Sequence, residues 1–316
     1  MTPDLAELLS KSDAAASLSV ERSVARSLTK LAWTVTQGAI YTDPKENKLR
    51  EIDSVARRAW RTRAQSPKTV FISMVVECKT MRGYHILFDG TPSSRFLGFH
   101  SVGLAHWIGY SVIEHKNRIR RLLTERQYNR EEVIRALQRL DKTAFPGHMA
   151  RLRGLLVEPP VFPSFTTFRE TNIGSEKDLD NSVMWRAVSA LDSCTTSLLA
   201  SRMDDFFHDL EYGVEEHERH GLEKIKALQY SFENEARFAW LFHPVVVTDA
   251  RLWAVRPDGT APLELQAARY VRSDGVHGVN KWFDVVQREH IDEYFGAVTK
   301  YYNKSFIKRR AYGSPE

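Results

Sequence analysis

The segment that most constrains this chain is residues 70–79, which read VFISMVVECK. A run of apolar and β-branched residues of this length predicts a buried β-strand. Because side chains alternate along a strand, Glu77 and Lys79 are expected on one face and Cys78 on the other. Two charged side chains therefore emerge together at the end of a strand whose other residues favour the protein interior.

An upstream segment, residues 50–56, reads REIDSVA and is expected to pair with this strand as a hairpin. Alternation places Ile52 and Ala56 on one face of that strand, and Asp53 and Val55 on the opposite face. In a hairpin of this kind, Asp53 lies beside the Glu-x-Lys pair.

Two carboxylates and an amine at one point need a counter-charge, because burying unpaired charge is costly. Mg²⁺ prefers oxygen ligands, is usually held by one or two carboxylates and keeps several waters. A lysine beside such an ion can orient or deprotonate a water, which suits hydrolysis of a phosphodiester. The alternative is a simple ion pair of Asp53 or Glu77 with Lys79, worth only about 0–1 kcal/mol at an exposed site.

Asp53 and the run Glu77-Cys78-Lys79 resemble the D…(D/E)xK signature of the PD-(D/E)xK, or restriction-endonuclease-like, nuclease superfamily. The proline of the family name is replaced by Ile52. A helix predicted from an N-cap at Ser19, followed by a strand at 39–43, completes the α-β-β-β order that opens this fold.

The resemblance implies a role for each residue of the set. Asp53 and Glu77 would bind Mg²⁺ or Mn²⁺ together with the backbone carbonyl of Cys78. Lys79 would position the attacking water and stabilise charge at the phosphorus. Glu21 matches an acidic residue on the first helix that many members add to the site, acting through water or a second ion. The alternative for Glu21 is an ordinary first-turn acid, which the helix dipole favours.

The fold class expected is α/β, with a restriction-endonuclease-like core in which helices flank a central mixed β-sheet, plus a helical insertion. Residues 1–316 would form a single elaborated domain, with its core at about 15–100 and 180–300 and its insertion at about 101–158. Residues 180–201 suit a buried crossover helix, and a charged helical stretch follows at 204–239, broken near Gly213 and Gly221. The later strands are expected to complete the same sheet; they are predicted at residues 84–88, 244–249, 251–255, 263–271 and 282–286.

Composition narrows the class of protein. Hydrophobic residues make up 42% and charged residues 27% of the chain, which is typical of a globular protein. No apolar run approaches the ~18–20 residues that span a bilayer, and the first residues lack the apolar region of a secretory signal. A cytoplasmic protein without membrane association is expected.

Cys78 and Cys194 are too few for a disulfide scaffold or a thiolate zinc site, and Cys78 is expected in the core.

The function implied by the resemblance is metal-dependent hydrolysis of DNA by an endonuclease, in restriction or phage defence. A net charge of +5 and a pI near 9.1 are mild support for a polyanionic partner such as DNA. Cutting both strands calls for two sites related by two-fold symmetry, so a homodimer is one expectation and a partner protein of a defence system another.

Two alternatives remain open at this level. The same fold could serve as a non-catalytic module that binds nucleic acid or protein. His217 and His220 lie three residues apart in a helical stretch and could both reach one metal ion. Because no third ligand is near them, a solvated helix face is the better interpretation.

Overall fold

The computed structural model describes residues 12–62, 68–81, 83–90, 162–172, 183–235, 238–256, 258–273 and 280–307, with individual positions between 117 and 138. The helices are α1 (Asp13–Lys30), α2 (Val183–Arg219), α3 (Lys224–Glu235) and α4 (Ile291–Ile307). The strands of the first half are β1 (Thr34–Asp43), β2 (Lys48–Arg61), β3 (Thr69–Lys79), β4 (Tyr84–Asp89), β5 (Ser164–Phe165) and β6 (Thr167–Asn172). Those of the second half are β7 (Phe238–Thr248), β8 (Arg251–Val255), β9 (Leu263–Leu265), β10 (Ala267–Ser273) and β11 (Asn280–Gln287).

The larger of two sheets contains seven strands in the order β1-β2-β3-β7-β11-β10-β5. The first three are antiparallel neighbours, whereas β3, β7 and β11 run parallel to one another. The sheet is therefore mixed, and helices pack against it. The expectation of an α/β chain with a central mixed sheet flanked by helices is confirmed.

A second sheet contains four strands in the order β6-β4-β8-β9. The expectation that the later strands complete one sheet is therefore wrong for the segments at 84–88, 251–255 and 263–265. Only Asp249 and Ala250 separate β7 from β8, and Ala250 is buried where the chain bends into the second sheet. Periodicity predicts that each strand buries an apolar face, but it does not predict which of the two sheets the strand joins.

Alternation along β3 sends its side chains into two separate apolar clusters. The even-numbered residues from Val70 to Cys78 pack with α1 and α4. Val75 instead packs with the first half of α2 and with the second sheet. Because Glu77 and Lys79 share the parity of Val75, they belong to the sheet face that α2 covers. Cys78 lies in the opposite core, as predicted.

Helix α1 begins earlier than the sequence indicates. Its N-cap is Ser12 and not the predicted Ser19. The Ser12 hydroxyl accepts a hydrogen bond from the amide of Ala15 at 3.4 Å. The alanines that follow Asp13 have high helix propensity and extend the helix backwards. Glu21 therefore lies in the third turn, where the helix dipole no longer explains an acidic residue.

Helix α2 is continuous through Gly213 and ends at Arg219, shortly before Gly221 with its φ of +80°. The predicted break at Gly221 is confirmed and the one at Gly213 is wrong. A Cβ atom at Gly213 would lie only 3.0 Å from the hydroxyl oxygen of Ser231 on α3. Glycine at this position costs about 1 kcal/mol in helix propensity, but it lets the two helices approach closely.

A buried polar cluster ties β7, β10 and β11 to α4. Arg269 donates to both carboxylate oxygens of Asp284, at 2.7 and 2.9 Å. Asp284 also accepts from the Tyr294 hydroxyl at 2.9 Å, and its Oδ2 lies 2.8 Å from Nε2 of His243. Burial lowers the pKa of His243. Burial opposes ionisation of Asp284 as well, but Arg269 outweighs it and holds the pKa of Asp284 below its usual range.

The predicted insertion and one hairpin loop lie mainly outside the described residues. They are the helical insertion at 101–158, of which only individual helical positions are described, and the loop that joins β2 to β3. No helix within the described ranges is long and apolar enough to cross a membrane. Cys78 and Cys194 are both buried and unpaired.

Candidate functional site

Glu77 and Lys79 form a close pair at the carboxyl end of β3. Lys79 Nζ lies 2.5 Å from Glu77 Oε1, and the Glu77 side chain is only 8% exposed. The second carboxylate oxygen, Glu77 Oε2, is buried and has no hydrogen-bond partner in the part of the chain that the structure describes. Leaving a buried carboxylate oxygen unpaired is costly, and a cation bound beside it would remove that cost.

Asp53 reaches this point because the ladder between β2 and β3 stops just before it. Regular pairing ends at Ser54 with Val76. One step further, Asp53 Oδ2 accepts a hydrogen bond from the amide of Cys78 at 2.5 Å. The carboxylate thus takes the place of a main-chain acceptor and is held beside the residue that separates Glu77 from Lys79.

The same interruption changes which faces of β2 are buried. Ile52 and Val55 both pack in the cluster beneath α2, whereas Ala56 packs in the cluster of α1. Strict alternation, which placed Ile52 with Ala56, is therefore wrong across this point. On the neighbouring strand β1, Gly38 has a φ of +59°. Its two neighbours in the chain pair with the two residues that flank Asp53. Glycine tolerates this left-handed backbone, which distorts the ladder locally.

Glu21 approaches the site from α1. The Ser17 hydroxyl donates to Glu21 Oε1 at 3.2 Å. Burial and the nearby charge of Asp53 raise the pKa of Glu21. Among the described residues, no three His, Cys, Asp or Glu side chains are close enough to hold one ion together. Glu21 therefore stands next to the Asp53 and Glu77 pair without completing a three-carboxylate set.

Glu51 is a further carboxylate at the site, and the sequence analysis missed it. Its charge raises the pKa of both Asp53 and Glu21. Its Oε1 lies over Gly38, 2.8 Å from the point where a Cβ atom would stand. A signal for it existed, because Glu51 precedes Asp53 by two residues and alternation places such residues on one face.

Negative charge exceeds what Lys79 can neutralise. Burial and then the charge of Asp53 raise the pKa of Glu77 to about 7, although Lys79 lowers it. Burial also raises the pKa of Asp53, against the opposing effects of the Cys78 amide and Lys79. Burial, with the surrounding carboxylates, raises the pKa of the Cys78 thiol well above its ordinary value. The thiol is therefore neutral and unsuited to act as a nucleophile.

We expect Glu77→Gln to stabilise the metal-free protein above neutral pH. The folded-state pKa of Glu77, about 7, exceeds its ordinary value of 4.5. Folded protein therefore binds this proton more tightly than unfolded protein, and stability falls as pH rises from 4.5 to about 7. Glutamine removes that penalty, so in EDTA at pH 8 its melting temperature should exceed that of wild type by about 2–6 °C.

The control is Glu46→Gln, which changes a carboxylate that is 48% exposed in the β1–β2 turn. This variant should show no comparable gain over the same range of pH. A Glu77→Gln protein that melts below wild type at pH 8 would mean that the ion pair with Lys79 outweighs the cost of burying the carboxylate.

Comparisons of the chain with models of protein families, with curated proteins and with solved structures found no match. What the site can do chemically therefore follows from its own residues. Asp53 and Glu77 offer carboxylate oxygens of the kind that Mg²⁺ prefers, and Lys79 offers an ammonium group beside them.

Proposed function

We propose that this chain is a Mg²⁺- or Mn²⁺-dependent endonuclease that hydrolyses DNA phosphodiester bonds. The observation that carries the proposal is Glu77, a buried carboxylate with one oxygen on Lys79 and the other unpartnered. Asp53 lies close enough to raise its pKa. A protein interior does not keep such charges together for stability alone, because each is costly to bury.

The residues fit a hard divalent cation. Asp53 and Glu77 would hold it together with the backbone carbonyl of Cys78. When bound, Mg²⁺ would supply an activated water and stabilise negative charge on the phosphate. Lys79 would orient the attacking water and contact a phosphate oxygen. Glu21 and Glu51, at the edge of the site, would act through water.

The order of elements supports a core of the PD-(D/E)xK, restriction-endonuclease-like kind. Helix α1 precedes the antiparallel strands β1, β2 and β3, and β7 then adds in parallel beside β3. DNA as the substrate comes from the resemblance of the motif, with the net charge of +5 as secondary support. A role in restriction or phage defence, and a homodimer or a partner protein that completes the system, rest on the resemblance alone.

Cleavage of supercoiled plasmid tests the proposal, because a single nick changes the mobility of the DNA. Wild type should nick or linearise plasmid with Mg²⁺ or Mn²⁺ and not with EDTA. Asp53→Asn should lower the rate at least about 100-fold, since it weakens the hold on the cation. Asp258→Asn, which alters an exposed turn aspartate, should cleave like wild type.

Cleavage that survives EDTA or Asp53→Asn would contradict this assignment of the site. Inertness with both metals, together with absence of Mn²⁺ binding in a titration, would overturn the catalytic proposal and leave a binding module. Inertness with retained Mn²⁺ binding would redirect the search to RNA or to a gating partner.

A further inference from the structure

A polar pocket of about 310 Å³ lies between α2 and α3, on elements that the proposed nuclease chemistry does not use. Its walls come from one face of the second half of α2 and from the facing turn of α3. The lining residues are Asp209, Tyr212, Gly213, Glu216, His217, Ser231 and Asn234. Asp209, Glu216 and His217 share a side of α2 because their spacing corresponds to about two helical turns.

The pocket is acidic, and the nearby cations are already engaged. The basic side chains described around it pair with other carboxylates: Arg202 with Asp205, Arg219 with Glu215 and Lys226 with Glu223. Asp209 and Glu216 are left without an ion-pair partner among the described side chains. Residues 204–235 contain ten acidic and only three basic residues, in a chain whose net charge is +5. This helical hairpin would repel DNA and attract cations.

One residue that lines the pocket carries a buried polar group without a partner among the described residues. Ser231 is 2% exposed, and its hydroxyl forms no hydrogen bond within the described residues. Gly213 brings α2 close to this hydroxyl, since a Cβ atom there would lie 3.0 Å from it. An unpartnered buried hydroxyl is destabilising unless a ligand or water satisfies it. Because Ser231 lines the pocket, a polar ligand bound there would satisfy this hydroxyl.

We propose that this pocket binds an organic cation, namely the ammonium or guanidinium group of a polyamine or of a basic side chain on a partner protein. Asp209 and Glu216 supply opposite charge, Ser231 and Asn234 supply hydrogen-bond acceptors, and the Tyr212 ring supplies a cation–π surface. At about 310 Å³, the pocket is large enough for the end of a side chain. A bare metal ion is the competing ligand, and the titration below includes it.

Calorimetric titration of the full chain tests the proposal with three probes: spermidine, a short peptide with one central arginine flanked by glycines, and Mg²⁺ alone. Spermidine or the arginine peptide should bind, and the two arms distinguish a free polyamine from a presented side chain. The double variant Asp209→Asn/Glu216→Gln should weaken binding about tenfold or more, because it removes both charge-assisted contacts.

The matched control is Asp205→Asn/Glu215→Gln, which removes the same amount of charge from the same helix outside the pocket. It should leave the dissociation constant within about twofold of wild type, as expected for exposed charges. If both double variants weakened binding equally, the effect would come from the overall charge of the helix, and the proposed binding pocket would be contradicted. Preferential binding of Mg²⁺ over both organic probes would also overturn the proposal, and so would the absence of binding by either organic probe.

Ser231→Ala separates a ligand contact from a structural role. If the hydroxyl serves only packing, its removal leaves binding unchanged. In either case the variant should fold at least as stably as wild type, because an unsatisfied buried group is gone. If the hydroxyl contacts the cation, the variant should also bind several-fold more weakly. Unchanged affinity in this variant would remove Ser231 from the site, and the double variant would still decide the proposal.

Discussion

Lys79→Ala is expected to lower the rate of DNA cleavage about 10²–10⁴-fold while leaving the fold intact. Lys79 is 28% exposed and its ammonium lies 2.5 Å from Glu77 Oε1, so its main contact is within the site. Under the proposed function, removing it takes away the group that orients the attacking water and stabilises charge on the phosphate. It also removes an influence that lowers the pKa of Glu77, so metal binding should weaken near neutral pH.

The two effects separate with pH. A pH of 9 is about two units above the wild-type Glu77 pKa of about 7, so it favours the ionised carboxylate in the variant and metal binding should recover, whereas the catalytic loss should persist. Plasmid cleavage and a Mn²⁺ titration at pH 7 and pH 9 measure both. Lys48→Ala, at a lysine that is 72% exposed and paired with Glu46, provides the control and should cleave normally. If Lys79→Ala recovered full cleavage at pH 9, Lys79 would act only by lowering the pKa of Glu77, and its proposed catalytic role would be contradicted.

Asp284→Asn is expected to destabilise the protein by about 3–5 kcal/mol, the largest effect on folding that we predict. Asp284 is fully buried and accepts two hydrogen bonds from Arg269 and one from Tyr294. Asparagine has nearly the same shape but no charge, so it leaves the Arg269 guanidinium, whose side chain is only 12% exposed, without a counter-ion. Against a typical total stability of about 5–15 kcal/mol, this loss is large. Urea denaturation of both proteins at pH 7 measures it.

Asp205→Asn makes the matching change in an exposed pair, Arg202 with Asp205, whose side chains are 39% and 55% exposed. It should cost no more than about 1 kcal/mol. Adding Arg269→Met to Asp284→Asn should recover much of the lost stability, because the uncompensated charge is removed. A loss below about 1 kcal/mol for Asp284→Asn alone would show that water or another group reaches Arg269.

Local patterns predicted much of the site. The apolar run that ends at Glu77 and Lys79 indicated a buried strand with both charges on one face, and β3 has that arrangement. The turn residues and apolar runs of the second half indicated β7, β10 and β11, which lie in the larger sheet. These predictions succeeded because alternation and β propensity depend on residues that are neighbours in the chain.

Helix boundaries were less predictable. Ser19 and Ser12 are both acceptable N-caps, and the alanine-rich stretch after Ser12 decides in favour of the earlier start. Gly213 is a weak helix former that sequence patterns treat as a break. It remains helical because α3 packs closely against it, a contact between residues that are not adjacent in the chain.

The sequence by itself determined which residues form the candidate site: Asp53, Glu77 and Lys79 could be named from two short strands. Tertiary structure alone decided how they meet. Asp53 accepts a hydrogen bond from the Cys78 amide because the β2–β3 ladder stops at Ser54. Tertiary structure also decided that β4 and β8 enter a second sheet. The pocket between α2 and α3 likewise exists only where the two helices pack. These features depend on which apolar surfaces bury one another across long separations in the chain, and local periodicity contains no information about that choice.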